Sequence, residues 1–164
     1  MSKRDKFVKL AFDEVNNNSL YLWGGQGEEV EKTTPETIEK METSANNAAR
    51  VLKCLANKIN NNCNMKKAHY FDCSGLVVWL LMKLKVIESD YTAQGLYNNV
   101  CVPILEKDLK PGDLCFCSSG SKINHVGIYA GTRVVIEAAG RDMGVVQRTM
   151  SKNNWRLFGR IKGL

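Results

Sequence analysis

Apolar residues recur at helical spacing through the first half of the chain and at a spacing of two through the second half. Phe7, Val8, Leu10, Ala11, Phe12 and Val15 form a stripe that predicts a helix over 5–16, closed by Asn16-Asn17-Asn18-Ser19. Thr34-Pro35-Glu36 is a helix start, with a hydroxyl cap, proline in the first position and an acid in the first turn. Ile38, Met41, Ala45, Ala48, Leu52, Leu55 and Ile59 then alternate three and four apart. This narrow seam predicts one amphipathic helix over 34–59, packed across the body of the domain or pairing with a second copy. A third helix is expected from Cys73 to Lys85, with Asp72 as its cap and Leu76, Val77, Leu80, Leu81 and Leu84 buried; Trp79 sits at the edge of that face.

After the turn Leu109-Lys110-Pro111-Gly112 the period changes, and strands are expected at 113–117, 125–130, 133–138, 145–148 and 157–162. Helices followed by consecutive strands with short connections mean an α+β fold with an antiparallel sheet of about five strands. At 164 residues the chain has the length of one domain, and no internal repeat divides it.

Composition narrows the function classes. With 44% hydrophobic and 24% charged residues the chain reads as globular, and no apolar run is long enough for a membrane span. The basic start is not followed by an apolar stretch, so synthesis in a cytoplasm without a signal peptide is expected. The net charge of +6 attracts polyanions, but the basic residues are scattered and no nucleic-acid motif accompanies them. Nucleic acid is therefore not an expected partner. The six cysteines lack a Cys-x-x-Cys pair, and Cys63, His69 and Cys73 do not match common zinc spacings, so no metal and no cofactor is expected. Cys115 and Cys117 fall on one strand face as small hydrophobes.

Cys73 differs from the other five. Phe71-Asp72-Cys73-Ser74-Gly75 places it where a helix begins, and the free amides and partial positive charge there favour a thiolate. Gly75 would leave room beside the sulfur for a substrate backbone. A nucleophilic thiol needs an imidazole. His69 lies in a polar loop and reads as an exposed bystander, whereas His125 opens a strand. Taken alone, such a histidine is more often a surface or core residue; beside a helix-start cysteine it becomes the candidate base. Glu137 is the one polar residue in Val134-Val135-Ile136-Glu137-Ala138. An unbulged hairpin through Ala130-Gly131-Thr132 sets it opposite His125 to orient the ring; the alternative is an outward-facing glutamate.

Together these segments resemble the NlpC-type family of papain-like cysteine peptidases that cut peptidoglycan stem peptides. The resemblance rests on Tyr21-Leu22-Trp23-Gly24-Gly25, Phe71-Asp72-Cys73-Ser74-Gly75-Leu76-Val77, Leu109-Lys110-Pro111-Gly112-Asp113-Leu114, His125-Val126-Gly127-Ile128-Tyr129 and Val135-Ile136-Glu137-Ala138. It implies a papain-like fold over residues 1–164, with N-terminal helices on the sheet. It also implies Cys73 as nucleophile, His125 as base and Glu137 as the third polar residue, a position more often histidine, asparagine or glutamine in the family. Tyr21, Asp72 and Ser74 would hold substrate or the oxyanion. Residues 26–70 depart from the pattern, as a helical insertion where family members have a short loop.

The expected activity is therefore hydrolysis of bacterial peptidoglycan, first at the γ-D-glutamyl–diamino acid bond, by a lysin of phage or prophage type that acts at the cell wall. Alternatives are an amidase cutting before L-alanine, a papain-like acyltransferase, and a non-catalytic wall-binding phage component. The state is monomer, or dimer through the 34–59 helix.

Overall fold

The computed structural model describes all 164 residues. Helix α1 (Lys3–Asn16) begins at a capping box in which Ser2 and Asp5 exchange hydrogen bonds, and it buries Phe7 and Ala11. Two short strands follow, β1 (Leu20–Tyr21) and β2 (Gln26–Glu29), then helices α2 (Pro35–Glu42) and α3 (Ala45–Asn60), strand β3 (His69–Phe71) and helix α4 (Cys73–Lys83). A short helix α5 (Ala93–Gly95) runs on as a π-helical turn to Val100. Six strands complete the chain: β4 (Cys101–Ile104), β5 (Leu114–Ser119), β6 (Lys122–Gly131), β7 (Val134–Ala138), β8 (Val145–Thr149) and β9 (Leu157–Ile161).

These six form one sheet in the order β4-β9-β5-β6-β7-β8, every pair antiparallel. The α+β reading holds, with one strand more than expected. The additional strand, β4, is short, carries Pro103 and lies at the edge, where a missing amide proton costs no ladder bond. A second, three-stranded sheet joins β1, β3 and β2, with β1 and β3 parallel. Residues 26–29 and 69–71 are thus strands of this small sheet, and α2 and α3 rise from between them.

The expected single helix over 34–59 is two. Thr43 adopts a left-handed conformation (φ 58°) that ends α2, and the Ser44 side chain caps α3 through the Asn47 amide. The left-handed backbone at Thr43 and the Ser44 cap together outweigh the continuous apolar seam. The seam is kept only in part: Ile38 and Ala48 pack with Leu20, Leu22, Ala68 and Tyr70 in a core of their own, Val51 and Cys54 complete the buried face of α3, and Ile59 is exposed.

The main core lies between the large sheet and α1 and α4. Leu76, Val77, Leu80 and Leu81 meet Val126, Ile128, Ile136 and Ala138 there. Strand alternation sends the intervening Gly127, Tyr129, Val135 and Glu137 to the opposite face, where Val135, Cys115, Met150 and Phe158 form a smaller cluster that Trp155 packs against. Asp113, wholly buried, receives Arg4 from α1 at 2.9 Å and Arg160 from β9 at 2.8 Å, tying helix and strand to the Lys110–Asp113 turn. No helix is long and apolar enough to cross a membrane.

Candidate active site

Asp72 fixes the position of Cys73. Its Oδ1 accepts the Gly75 amide at 2.7 Å, the N-cap bond of α4, and its Oδ2 accepts the Gly24 amide at 3.0 Å. The Asp72 amide in turn donates to the Gly25 carbonyl at 3.0 Å. The start of α4 and the Trp23-Gly24-Gly25 turn are therefore one unit. A Cβ at Gly75 would meet the Gly25 oxygen at 2.0 Å, so this glycine serves the approach of two backbone segments. It does not make room for substrate, as the sequence had implied. Burial pushes the Asp72 carboxyl up, while its amide bonds and Ser74 act in the opposite sense. Both oxygens are committed to backbone, so Asp72 is a scaffold; Ser74 reaches it at 3.4 Å.

Cys73, the first residue of α4, opens into a cleft of about 500 Å³ that His125, Tyr21, Ser74, Asn124 and Ala138 also line. The imidazole Nε2 lies 3.1 Å from Glu137 Oε1, which leaves Nδ1 for the sulfur. Burial pulls the His125 pKa down, but neighbouring Cys73 and the hydrogen bond with Glu137 prevail and hold it at about 9. Glu137 is buried, and the same oxygen accepts Arg148 at 2.8 Å and Asn153 at 2.7 Å. Trp155 stacks on the imidazole, with centroids 5.5 Å apart and planes inclined by 21°. A Cβ at Gly127 would strike Val135 at 2.5 Å and the Trp155 ring at 2.9 Å, so that glycine admits the indole.

His125 and Glu137 share a face as expected, but by another register. Ile128 pairs with Ile136, a bulge intervenes at Tyr129–Gly131, and the turn is Thr132-Arg133, both with positive φ. The two site residues are thus diagonal neighbours, still within reach. His69, expected to be an exposed bystander, is instead on β3, with Nδ1 3.0 Å from buried Glu14 and its ring 5.0 Å from Trp79. Cys54, Cys101, Cys115 and Cys117 are all pushed up by burial, Cys101 to about 12 and Cys117 to about 11, which disfavours their thiolates.

Tyr21 lies in the cleft, its phenol pushed up to about 12 by burial and by Cys73 and Asp72, against the pull of Arg141. The Arg141 guanidinium sits 5.3 Å from the Tyr21 ring centroid. Arg141 itself is clamped by Glu42 at the end of α2, with bonds of 2.7 and 2.8 Å. Arg148, Asn153, Trp155, Arg141 and Glu42 were not anticipated from the sequence. Only Arg148 carried a signal: Glu137 pairs with Val146, so Arg148, two residues on, shares its face.

The arrangement is a thiol at a helix start, an imidazole on an adjoining strand and a buried carboxylate behind the imidazole. These groups are carried on a papain-like α+β frame. The model of the NlpC/P60 family matches residues 18–159, and the chain belongs to that family. A probable endopeptidase p60 of Listeria grayi is 36% identical over 95 residues, which are 56% of this chain and 18% of the relative. The bifunctional muramidase/DL-endopeptidase CwlT of Bacillus subtilis is 37% identical over 99 residues, 56% of this chain and 29% of that protein. The chain thus spans less than a third of these curated relatives. Among solved structures, RipD of Mycobacterium tuberculosis, described as a non-catalytic NlpC/p60 domain protein adapted to peptidoglycan binding, superimposes with a TM-score of 0.64. It does so over 100% of this chain and 99% of RipD at 14% identity, a likeness of fold.

Proposed function

We propose that the chain is a cysteine endopeptidase of peptidoglycan stem peptides. The observation that carries this reading is the grouping of Cys73 and His125 in one open cleft, with Glu137 buried behind the imidazole and the imidazole pKa held at about 9. A histidine in that range is largely protonated at neutral pH and suits a thiolate–imidazolium pair. The Cys73 sulfur attacks the stem-peptide carbonyl, and the oxyanion is received by the Cys73 amide at the helix start and by the Tyr21 hydroxyl. The C–N bond breaks as His125 protonates the departing amine, leaving a thioester on Cys73. His125 then takes a proton from water, whose oxygen displaces the sulfur and frees the carboxylic acid. Glu137 accepts a hydrogen bond from Nε2–H and keeps Nδ1 toward the sulfur.

The bond proposed is that between γ-D-glutamate and the diamino acid; the similarity to a DL-endopeptidase supports it. With it we propose delivery as a phage or prophage lysin, for which the charge of +6 favours adsorption to an anionic wall, weakening as salt rises. Digestion of defined muropeptides followed by mass spectrometry tests the chemistry. A new amine on the diamino acid is expected, absent with Cys73→Ala. A new amine on L-alanine makes the chain an amidase, and no product from the wild type refutes hydrolysis.

A further inference from the structure

The cleft does not end at Arg141. A second cavity of about 310 Å³ lies beside it, walled by Trp23, Glu42, Thr43, Ser44, Asn47 and Arg141. Trp23 and Arg141 line both cavities, so these two side chains are the boundary across which one opens to the other. Four of the six walls belong to the α2–α3 junction.

Three features define what this groove can hold. Trp23 is 55% exposed, although large apolar side chains in this chain are mostly buried. An indole face left open beside hydroxyl and amide groups offers an apolar platform with a polar rim. The wall is built in place: Glu42 is buried and grips Arg141 through two bonds of 2.7 and 2.8 Å. That pair also neutralises itself, so the six walls carry no net charge. A phosphate or carboxylate would find no surplus cation here, whereas a neutral polyhydroxylated ring meets complementary chemistry. The volume lies at the low end of the range for ligand sites, roughly 300–1,000 Å³, which fits a single ring.

We infer that this groove is a sugar subsite, in which Trp23 stacks against one pyranose ring of the glycan strand while Thr43, Ser44 and Asn47 meet its hydroxyl and acetamido groups. The inference rests on the proposed function, since it assumes that the stem peptide occupies the neighbouring Cys73 cleft. The chain then prefers stems still attached to their disaccharide over released peptides.

Binding to the Cys73→Ala protein isolates this step from catalysis. Calorimetry with a stem peptide, the same peptide on its disaccharide, and a sugar-free cross-linked peptide dimer separates the outcomes. The disaccharide is expected to tighten binding about tenfold over the free peptide, and Trp23→Ala to abolish that ratio while Trp23→Phe keeps part of it. Equal affinities for sugar-bearing and sugar-free stems overturn the inference, as does tighter binding of the sugar-free dimer. Failure of the hydrolase reading shows separately, as absence of product from the unmodified chain.

Discussion

Replacing Glu137 by glutamine keeps the shape of the site and removes its buried negative charge. The Glu137 oxygen that accepts His125 Nε2 at 3.1 Å then becomes a neutral amide oxygen. A hydrogen bond to a charged group contributes about 1.5–3 kcal/mol and a neutral one about 0.5–1.5, a difference of about 1.2 kcal/mol between the midpoints. That is about one unit of pKa. The His125 pKa, held at about 9 against the downward pull of burial, should therefore fall toward 8. The folded value lies above the ordinary 6.5, so the protonated ring stabilises the fold fully below pH 6.5 and ceases to as pH rises through about 9. Glu137→Gln should narrow that window from its alkaline side. The assay is an NMR titration of the imidazole protons, readable because the chain has two histidines. His69, bonded to Glu14, serves as the internal control. An unchanged His125 titration in the variant would refute the claim that the carboxylate tunes this ring.

Two further expectations concern the scaffold. Gly75→Ala drives a methyl against the Gly25 carbonyl, so it should lower the melting temperature by an amount equivalent to about 1–3 kcal/mol and reduce hydrolysis; an unchanged melt contradicts the backbone contact. Asp113→Asn leaves Arg4 and Arg160 facing a neutral group and should cost about 3–5 kcal/mol in urea unfolding. Burial pushes the Asp113 carboxyl up, but bonds from Arg160, Lys110 and Arg4 prevail and hold it below 3.8. Its contribution is therefore present above pH 3.8 and lost as pH falls through the lower folded value, so wild type and variant should converge in acid; parallel curves there contradict this reading.

The parts of the fold that sequence made legible are those decided by local chemistry. Asp72 caps α4 and Thr34-Pro35 starts α2 as expected, because cap residues act on amides within a turn of themselves. Alternating apolar residues disclosed five strands of the large sheet, and Cys73, His125 and Glu137 converge as the motifs implied. What escaped depends on contacts far along the chain. Asn153 reaches Glu137 across 16 residues, and Arg141 reaches Glu42 across 99. Neither pairing has a periodicity to reveal it. The stacking of Trp155 on His125 follows from the sheet's register and from Gly127. His69 was misplaced because the polar run before it hid a three-residue strand.

Competitive alkylation tests the central claim most directly. With iodoacetamide at pH 6–7, peptide mapping should find Cys73 modified well before the other five cysteines, wall hydrolysis lost in step with that modification, and the reaction slowed by His125→Ala. Modification of Cys73 at the same pace as Cys63, or indifferent to His125, would contradict an imidazole-paired sulfur as the reacting group.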